Sequence, residues 1–263
     1  MVGNNLRPYD ECYYRSVQEK SLRSAKEIVP IVLELIKPKS VIDVGCGVGI
    51  WLSVFKEYGV NDILGVDGYP MDRKMLQIPE ECFLQFNLET LFRIDRKFDL
   101  VVSLEVAEHL PPKCAETFVD SLVQLGPVIL FSAAIPFQEY TRKYHKNEQW
   151  PEYWSRLFQE KGYVVIDFLR KKLWRNDNVE FCYAQNVLIF AIQDYLECNA
   201  ILKKAFENTS TSQLSIVHPK LYLEYASLSP QNMTLKGVCS YLLDVLKRQF
   251  ARVQTYEKTT TSS

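Results

Sequence analysis

Blocks of apolar residues alternate with amphipathic segments along the chain, and this pattern predicts alternating strands and helices. The apolar runs that we interpret as strands lie at residues 41–44, 62–67, 83–86, 98–104, 127–132, 163–169 and 186–192. Most of these runs lack the polar alternation of a half-exposed strand, so helices should cover both faces of the sheet. The segments between them that we interpret as helices lie at residues 6–37, 51–58, 115–125 and 150–161. The predicted strands and helices therefore alternate along the first 192 residues.

Parts of the first 192 residues depart from this alternation. Residues 133–149 show neither helical nor strand periodicity, and a structureless segment of about 15 residues in a compact domain is typically functional or mobile. The polar residues 170–185 separate the last two predicted strands, and we interpret them as a hairpin-like connection. Pro30 predicts a kink or a boundary in the first helix. Residues 13–16 mix aromatic and polar side chains and form either a partly buried helix face or a lid over the ligand site.

The remaining residues, 193–263, are predicted to form a helical appendage. Residues 194–207 and 235–254 are amphipathic, and the second of these segments carries one apolar stripe. An apolar stripe that its own chain leaves uncovered usually marks an interface, so this stripe predicts a packing element or a homodimer contact. We therefore place a domain boundary after residue 192 and expect the tail, residues 259–263, to be disordered.

Composition narrows the classes of partner and the compartment. The 263 residues are 47% hydrophobic with a formal net charge of -1, which is typical of a globular protein and gives no sign of a nucleic-acid partner. The seven cysteines are scattered without a C-x-x-C pair, so we expect neither a disulfide framework nor a metal site. The N-terminus lacks an apolar signal core, and no run approaches the roughly 18 apolar residues of a membrane span. We therefore expect a cytoplasmic protein with no membrane span.

A glycine-rich turn follows the first predicted strand and is the strongest functional signal in the sequence. Asp43, Gly45, Gly47 and Gly49 follow the spacing D-x-G-x-G-x-G, with the acid still on the strand and an apolar helical segment after the last glycine. Glycine allows positive φ angles and a close approach of a ligand to the backbone, and a helix start offers unpaired N–H groups. Such a turn typically cradles a nucleotide, although its spacing differs from the dinucleotide motif G-x-G-x-x-G.

Acidic and polar residues follow three later strands. Asp67 ends the second strand, where nucleotide-binding α/β folds hold the ribose hydroxyls, although a strand-end Asp is also a common turn former. Asn87 follows the third strand and is likewise typical of a turn. Glu105, Glu108 and His109 cluster after the fourth strand. Open α/β sheets bind ligands at this edge, so the cluster is either part of a site or an ordinary solvated loop.

Four segments in this order resemble the class I S-adenosylmethionine-dependent methyltransferases: VIDVGCGVGIW, ILGVD, FNL and FDLVVSLEVAEHL. LEVAEHL resembles the ubiquinone-biosynthesis-like branch, and FSAAIP and HKNEQWPEYW resemble a bacterial group of uncharacterised methyltransferases, some of them found beside sugar-handling enzymes. The resemblance covers about residues 20–192. It implies a Rossmann-like three-layer α/β/α sandwich whose seven-stranded, mostly parallel sheet has an antiparallel last strand.

The same resemblance implies S-adenosyl-L-methionine as the cofactor. Asp43 and the glycines would frame its methionine end, Asp67 would hold the ribose, and Asn87 and Leu88 would contact the adenine. Glu105 would form the pocket wall near the methyl donor. The implied cofactor-binding residues are Asp43, Gly45, Cys46, Gly47, Gly49, Asp67, Gly68, Asn87, Leu88 and Glu105.

The acceptor that we expect is a hydroxyl oxygen of a small molecule or saccharide. Residues 103–106 read SLEV in place of the D/N-P-P-Y signature of amino methyltransferases, which leaves oxygen and carbon acceptors. An aliphatic hydroxyl needs a base for its proton, and imidazole suits that role near neutral pH. We predict that residues 135–149 form a lid on the acceptor side, with His145 as the first candidate base and His109 as the second.

Other interpretations stay open at this point. His145 and Asn147 are also placed to cap the helix that begins near Trp150. Carboxyl methylation of a small acid or a peptide end would need no base, only charge matching from Arg142 or Lys143. A non-catalytic module that binds S-adenosylmethionine and recruits a partner through the appendage is the alternative outside enzymes. Turnover of the cofactor to S-adenosylhomocysteine separates an enzyme from such a module.

Overall fold

The computed structural model describes residues 11–70, 72–138, 144–227 and 239, with the helical backbone alone for residues 11–17. The helices are α1 (Glu11–Ile36), α2 (Ile50–Glu57), α3 (Ala115–Val123), α4 (Pro151–Gln159), α5 (Leu169–Leu173), α6 (Phe181–Asn186), α7 (Gln193–Glu197), α8 (Ala200–Glu207) and α9 (Pro219–Ser227). The strands are β1 (Ser40–Val44), β2 (Asp62–Asp67), β3 (Phe83–Gln85), β4 (Leu100–Leu104), β5 (Val128–Ser132), β6 (Tyr163–Ile166) and β7 (Leu188–Ile192).

The strands form one seven-stranded sheet in the order β3-β2-β1-β4-β5-β7-β6. The first five strands pair in parallel, whereas β7 lies antiparallel between β5 and β6. The carboxyl ends of the parallel strands and the amino end of β7 therefore meet at one edge of the sheet. This topology confirms the predicted fold class, a mostly parallel sheet with an antiparallel last strand.

Neighbouring strand residues contribute to separate cores on the two faces of the sheet. Val41 and Leu100 belong to the core that α1 and α2 cover, whereas Ile42 and Val101 belong to the core that α3 and α4 cover. Successive side chains of a strand point to opposite faces, and here both faces are buried. The result is a three-layer α/β/α arrangement, which explains why the strand sequences are continuous apolar runs.

Helix α1 continues through Pro30, so the helix boundary that we considered at this residue is wrong. Proline removes one helical N–H donor, and that cost is usually enough to break an exposed helix. Ile28 and Val32, on either side of the proline, are fully buried in the core of the sheet. Tertiary packing of this apolar face therefore outweighs the local cost of the proline.

Residues 170–185, interpreted from the sequence as a hairpin-like connection, instead contain most of the helices α5 and α6. Lys171, Lys172 and Arg175 are exposed, whereas Arg170 and Gln185 are buried. Arg170 is 1% exposed, and its guanidinium donates to both carboxylate oxygens of Asp167 at 2.9 and 2.7 Å and to the Leu214 carbonyl at 2.6 Å. The segment thus has polar side chains both inside the protein and on its surface, and its polarity alone did not reveal the two short helices.

The chain divides into two compact units, Met1–His218 and Pro219–Ser263, whereas the sequence placed the boundary after residue 192. Between those positions, α7 and α8 bury Leu196 and Leu202 in the core that α1 covers. Asn199 also donates its side-chain N–H to the carbonyl of Leu35 across 2.8 Å. Residues 193–218 therefore complete the first unit.

The second unit is described only in part. Its helix α9 is described, whereas the predicted helix at 235–254, except Cys239, and the predicted disordered tail lie outside the described residues. Within the described residues, none of the helices is long and apolar enough to cross a membrane. The residues of the candidate site all belong to the first unit.

Candidate functional site

The glycine-rich turn after β1 has a backbone that favours glycine at each of its three glycine positions. Gly45, Gly47 and Gly49 have φ angles of 88°, 54° and 86°, in the left-handed region. A Cβ atom on Gly45 would lie 2.3 Å from Cγ2 of Val106, the residue that follows Glu105. The turn therefore packs directly against the segment that leaves β4, and it brings the two parts of the predicted site together.

Asp67 ends β2 and braces this turn. Its Oδ2 accepts a hydrogen bond from the Gly47 N–H at 2.7 Å, and its Oδ1 accepts one from the Tyr69 N–H at 2.8 Å. Burial raises the pKa of the Asp67 carboxyl, and these backbone donors oppose the rise. Each carboxylate oxygen has a second lone pair, so Asp67 keeps acceptor capacity for the hydroxyls of a ribose.

Asp43 supplies the clearest sign that the turn is built for a polar ligand. Its side chain is 2% exposed, and among the described residues nothing donates a hydrogen bond to its Oδ2. Burial raises the pKa of this carboxyl from 3.8 to about 8, and the charge of Asp67 adds to the rise. A buried acceptor without a partner is costly, so a ligand that brings a positive charge or an N–H donor would stabilise it. The methionine end of S-adenosylmethionine has such a group.

Cys46 can contact a cofactor only through its backbone. A Cβ atom on Gly65 would lie 2.7 Å from the Cys46 Sγ, so the thiol packs against β2. Burial raises the pKa of the thiol well above its ordinary value, with the charges of Asp43 and Asp67 contributing. The thiol is therefore a neutral core group.

On the predicted adenine side, the ends of β2 and β3 approach each other closely. A Cβ atom on Gly68 would lie 3.2 Å from the Phe86 carbonyl oxygen. Leu88 is 7% exposed, whereas Asn87 is exposed and uses its Oδ1 to accept a hydrogen bond from the Glu89 N–H at 3.0 Å. Asn87 thus forms a turn, and its contact with the adenine stays a prediction.

Glu105 is held in an unusual conformation immediately after β4. Its φ of 55° lies in the left-handed region, which costs a residue with a Cβ about 1–3 kcal/mol and persists only where the surroundings impose it. The Glu105 N–H donates to the Ser132 carbonyl at 3.0 Å. Its carboxylate accepts hydrogen bonds from the side-chain amides of Asn186 at 3.0 Å and Gln138 at 2.6 Å. Burial raises the pKa of Glu105, and these hydrogen bonds oppose the rise.

The amides that hold Glu105 belong to a network that the sequence did not reveal. The Gln185 amide donates to Gln138 at 3.2 Å and to Asn186 at 2.9 Å, and its own Oε1 accepts the His218 N–H at 2.7 Å. Gln185 and Asn186 precede β7, whose amino end lies at the ligand edge because the strand is antiparallel. The predicted antiparallel direction of the last strand was the one feature of the sequence analysis that could have placed Gln185 and Asn186 at the ligand edge. His218 is a core residue, since it is 7% exposed.

Glu108, His109 and His145 come together beside Glu105. The imidazole rings lie 4.9 Å apart between centroids, with their planes at 81°. Each of the three residues offers one ligand atom, and these atoms all lie within 4.8 Å of one another, so the group has the dimensions of a metal site. The structure thus brings together the two histidines that the sequence nominated and adds Glu108 to them.

Backbone hydrogen bonds dock the segment with His145 onto the end of β4. The N–H groups of Lys146 and Asn147 donate to the Glu108 carbonyl at 2.7 and 2.9 Å, and the Gln149 N–H donates to the Ala134 carbonyl at 3.2 Å. This docking explains how two histidines that are far apart in the sequence become neighbours.

Two other sequence interpretations concern this segment. Helix α4 begins at Pro151, and its N-cap residue Trp150 makes no side-chain capping hydrogen bond. The described partners of the two candidate caps lie before the helix: His145 pairs with Glu148, and Asn147 accepts a hydrogen bond from Gln149. The capping role of His145 and Asn147 stays an alternative. Residues 139–143 of the predicted lid, with Arg142 and Lys143, lie outside the described residues, as do the side chains of residues 13–16.

Glu108 is buried with only partial compensation. It is 0% exposed, and neither of its carboxylate oxygens makes a well-formed hydrogen bond with the described residues, although the backbone N–H groups of Glu108 and Ala134 lie near enough to oppose the rise of its pKa. The pKa of Glu108 is raised well above its ordinary value, first by burial and then by the negative charge of Glu105. The cluster therefore places a partly compensated carboxyl group and two imidazoles next to the predicted wall of the cofactor pocket.

Comparisons with known proteins agree with this geometry. A family model described as a methyltransferase domain matches residues 17–177, which is more than half of the chain. The mitochondrial ubiquinone biosynthesis O-methyltransferase of Dictyostelium discoideum is 31% identical over 110 residues, or 35% of this chain and 34% of that protein. The chain thus spans about a third of the length of this curated relative.

A solved structure that shares the fold at low sequence identity is Streptomyces venezuelae DesVI, which is 16% identical, with a TM-score of 0.50 over 69% of this chain and 96% of that chain. Magnesium protoporphyrin IX methyltransferase from Synechocystis PCC 6803, solved with bound SAM, is 16% identical, with a TM-score of 0.49 over 73% of this chain and 87% of that chain. Because the family match runs through the glycine-rich turn, the end of β4 and the segment with His145, the chain belongs to the methyltransferase domain family, whose methyl donor is S-adenosylmethionine.

Proposed function

We propose that this protein is an enzyme that methylates a hydroxyl oxygen of a small molecule or saccharide. The observation that carries the proposal is the pair of imidazoles, His109 and His145, next to Glu105 at the edge of the sheet where the glycine turn lies. A hydroxyl acceptor is a weak nucleophile until its proton is removed, and a cluster of this kind is suited to handle that proton.

The chain holds the donor through groups that are already in position. S-adenosylmethionine, when bound, supplies a methyl on a positively charged sulfur; the acceptor oxygen forms a bond to this methyl while the sulfur–carbon bond breaks and its electron pair stays on sulfur. Asp43 would face the amino-acid end of the donor, and Asp67 would accept hydrogen bonds from its ribose. The braced turn and the fixed carboxylate of Glu105 contribute orientation, which lowers the barrier of a bimolecular displacement.

His145 is oriented to act on the acceptor proton. Its Nδ1 lies 2.9 Å from Oε1 of Glu148, a pairing of the kind that orients an imidazole for proton transfer. His109 has a similar arrangement, because its Nδ1 lies 3.3 Å from the Tyr144 carbonyl oxygen. Each ring therefore has its Nδ1 next to an oxygen acceptor, which fixes the orientation of the imidazole.

The test of the proposed function is transfer of a labelled methyl group. The full chain is incubated with S-adenosylmethionine labelled on the methyl and with pools of saccharides, phenols, aliphatic alcohols and small acids. We expect S-adenosylhomocysteine to form together with a product that gains one methyl and resists mild alkali, as an ether does. A product that alkali cleaves would be a methyl ester and would indicate carboxyl methylation. Cofactor binding without turnover in any pool would indicate a binding module.

A further inference from the structure

We propose that Glu108, His109 and His145 bind a divalent transition-metal ion, and that this ion binds the acceptor oxygen in the proposed O-methylation. The role in catalysis rests on the proposed function, whereas the metal site itself stands on the geometry of the three side chains. Their ligand atoms all lie within 4.8 Å of one another, close enough for one ion to contact all three after small side-chain adjustments.

The state of Glu108 is the first reason to expect a cation. The residue is 0% exposed, and its two carboxylate oxygens make no well-formed hydrogen bond with the described residues; the nearby backbone N–H groups of Glu108 and Ala134 compensate its burial only in part. Carboxylates are almost never buried in this way unless they are paired or coordinate a metal. A second carboxylate, Glu105, lies close enough to disfavour the negative charge on Glu108 further. A divalent cation between these groups would remove both costs.

The orientation of the two histidines is the second, independent reason. Histidines that bind metals typically donate the N–H of the other ring nitrogen to a carboxylate or to a backbone carbonyl. His145 pairs its Nδ1 with the Glu148 carboxylate at 2.9 Å, and His109 pairs its Nδ1 with the Tyr144 carbonyl at 3.3 Å. Both rings therefore have the kind of supporting group that metal-binding histidines use.

The ligand set indicates the class of ion. Two imidazoles and one carboxylate suit zinc, manganese or iron better than magnesium or calcium, which prefer oxygen ligands. Three protein ligands leave at least one coordination position for another group, as in catalytic sites. This site was not expected from the sequence, because no metal-ligand spacing is present: Glu108 and His109 follow β4, whereas His145 comes from the segment after β5.

An open coordination position next to the pocket wall suits a hydroxyl acceptor. A divalent ion lowers the pKa of an oxygen that it binds, so the acceptor loses its proton to solvent water near neutral pH. In this arrangement the two imidazoles are ligands of the ion, and the ion replaces the general base in activating the hydroxyl. The oxygen then forms its bond to the methyl carbon, and the sulfur of the donor keeps the electron pair of the broken bond. No electron passes to or from the metal, so no oxidant or reductant is required.

The metal site is tested first without any acceptor. The full chain is treated with a chelator, passed through a desalting column and titrated with Mn²⁺, whose free form is followed by its electron paramagnetic resonance signal. We expect one Mn²⁺ to bind per chain and Zn²⁺ to displace it, and we expect Mn²⁺ to raise the melting temperature. The proposal would be overturned if neither Mn²⁺ nor Zn²⁺ binds with a Kd below about 1 mM.

Two variants identify the ligands, and a third serves as a matched control. Glu108→Gln and His109→Gln preserve approximate shape and should each weaken Mn²⁺ binding by about 100-fold or more, since even supporting groups of metal sites contribute about 10–100-fold. Glu116→Gln makes the same chemical change on the exposed surface of α3 and should leave Mn²⁺ binding unchanged. Equal Mn²⁺ affinity in the native chain and in both ligand variants would place any bound ion elsewhere and contradict the assignment.

Binding of S-adenosylhomocysteine to each variant separates a lost metal site from a lost fold. We expect its affinity to stay within a few-fold of the native value in Glu108→Gln and in His109→Gln. If a variant loses this binding as well, His145→Gln replaces it in the titration, because His145 lies on a different segment. A chain that binds Mn²⁺ through these residues yet methylates no hydroxyl compound would retain the metal site and refute the proposed function instead.

Discussion

Asp67 accepts a hydrogen bond from the backbone N–H of Gly47 across 2.7 Å, so the carboxylate that ends β2 braces the turn that follows β1. The sequence resemblance gave Asp67 one role, that of holding the ribose of the cofactor. The structure adds a second role, because the same carboxylate fixes the backbone that would surround the methionine end. Removing it should therefore affect the stability of the turn as well as the contact with the ribose.

We expect Asp67→Ala to weaken binding of S-adenosylhomocysteine by about 10–100-fold, or roughly 1.5–3 kcal/mol, because charge-assisted hydrogen bonds are lost. The unfolding free energy should also fall by about 1–3 kcal/mol, since the Gly47 N–H loses its acceptor. Calorimetric titration and denaturant unfolding measure the two effects. Asp62→Ala, at the other end of β2, is the control: Asp62 is half-exposed and pairs with Arg96, so stability should change by no more than about 1 kcal/mol. Native cofactor affinity in Asp67→Ala would contradict both roles.

Two glycines with similar backbone angles separate conformational strain from steric exclusion. Gly45 and Gly59 have φ angles of 88° and 93°, but only Gly45 has a neighbour, the Val106 side chain, in the path of a Cβ atom. Gly59→Ala should cost about 1 kcal/mol of unfolding free energy for the backbone alone. Gly45→Ala should cost a further 1–3 kcal/mol or so, because the stiff Val106 cannot move aside. Equal losses of unfolding free energy in the two variants would show that Val106 moves aside without cost.

The glycine turn and the strands were predictable from the sequence because each depends on local rules. Buried parallel strands are continuous apolar runs, and a turn with left-handed backbone angles needs glycine. The network of Gln138, Gln185 and Asn186 was not predictable, since amides in a polar stretch look the same whether they are exposed or buried. The left-handed backbone of Glu105 was hidden for the same reason, because tertiary contacts impose it against the preference of the residue.

The raised pKa of Asp43 should appear in the pH dependence of the unfolding free energy. Burial raises its pKa in the folded protein from 3.8 to about 8, so the folded state holds a proton that the unfolded state releases. Stability without cofactor should therefore be highest at low pH and fall as the pH rises between about 4 and 8, by up to about 1.4 kcal/mol per unit. Asp67, Glu105 and Glu108 have raised pKa values too and act with the same sign.

Asp43→Asn isolates the contribution of this carboxyl. The amide cannot ionise, so the unfolding free energy of the variant relative to the native chain should increase as the pH rises from 5 to 8. Denaturant unfolding at several pH values measures this difference. Asp62→Asn replaces an exposed carboxyl on the next strand and is the control. Its unfolding free energy should change with pH in the same way as that of the native protein. A constant difference between Asp43→Asn and the native chain would mean that Asp43 is ionised across this range.

We expect the C-terminal residues to determine assembly and leave cofactor binding unchanged. The candidate site lies in the first unit, which ends at His218, whereas the apolar stripe falls within residues 235–254 of the second. Deleting residues 235–263 should change the oligomeric mass or the solubility, because a stripe of this kind usually contacts a partner or its own chain. Binding of S-adenosylhomocysteine should stay within about two-fold, as expected for independent sites. Unchanged mass and solubility with lost cofactor binding would refute this division of roles.

His145→Ala should reduce turnover by about 10²–10⁴-fold once an acceptor is known, while cofactor affinity stays within a few-fold. The side chain is 14% exposed and contacts Glu148 and His109, so the stability loss should remain about 1–2 kcal/mol. Lys146→Ala, the exposed neighbour, is the control and should retain native turnover. Nearly native turnover in His145→Ala would remove this residue from the mechanism.

Rescue experiments then distinguish the two roles that His145 can have. If the imidazole is the general base, added imidazole should restore part of the turnover of His145→Ala, and added Mn²⁺ should not. If it is a metal ligand, the remaining ligands, Glu108 and His109, should still bind the ion weakly, so that millimolar Mn²⁺ restores turnover. The metal role also predicts that a chelator abolishes turnover of the native chain and that Mn²⁺ restores it. Native turnover after complete removal of metal would leave the base role as the explanation of the imidazole pair.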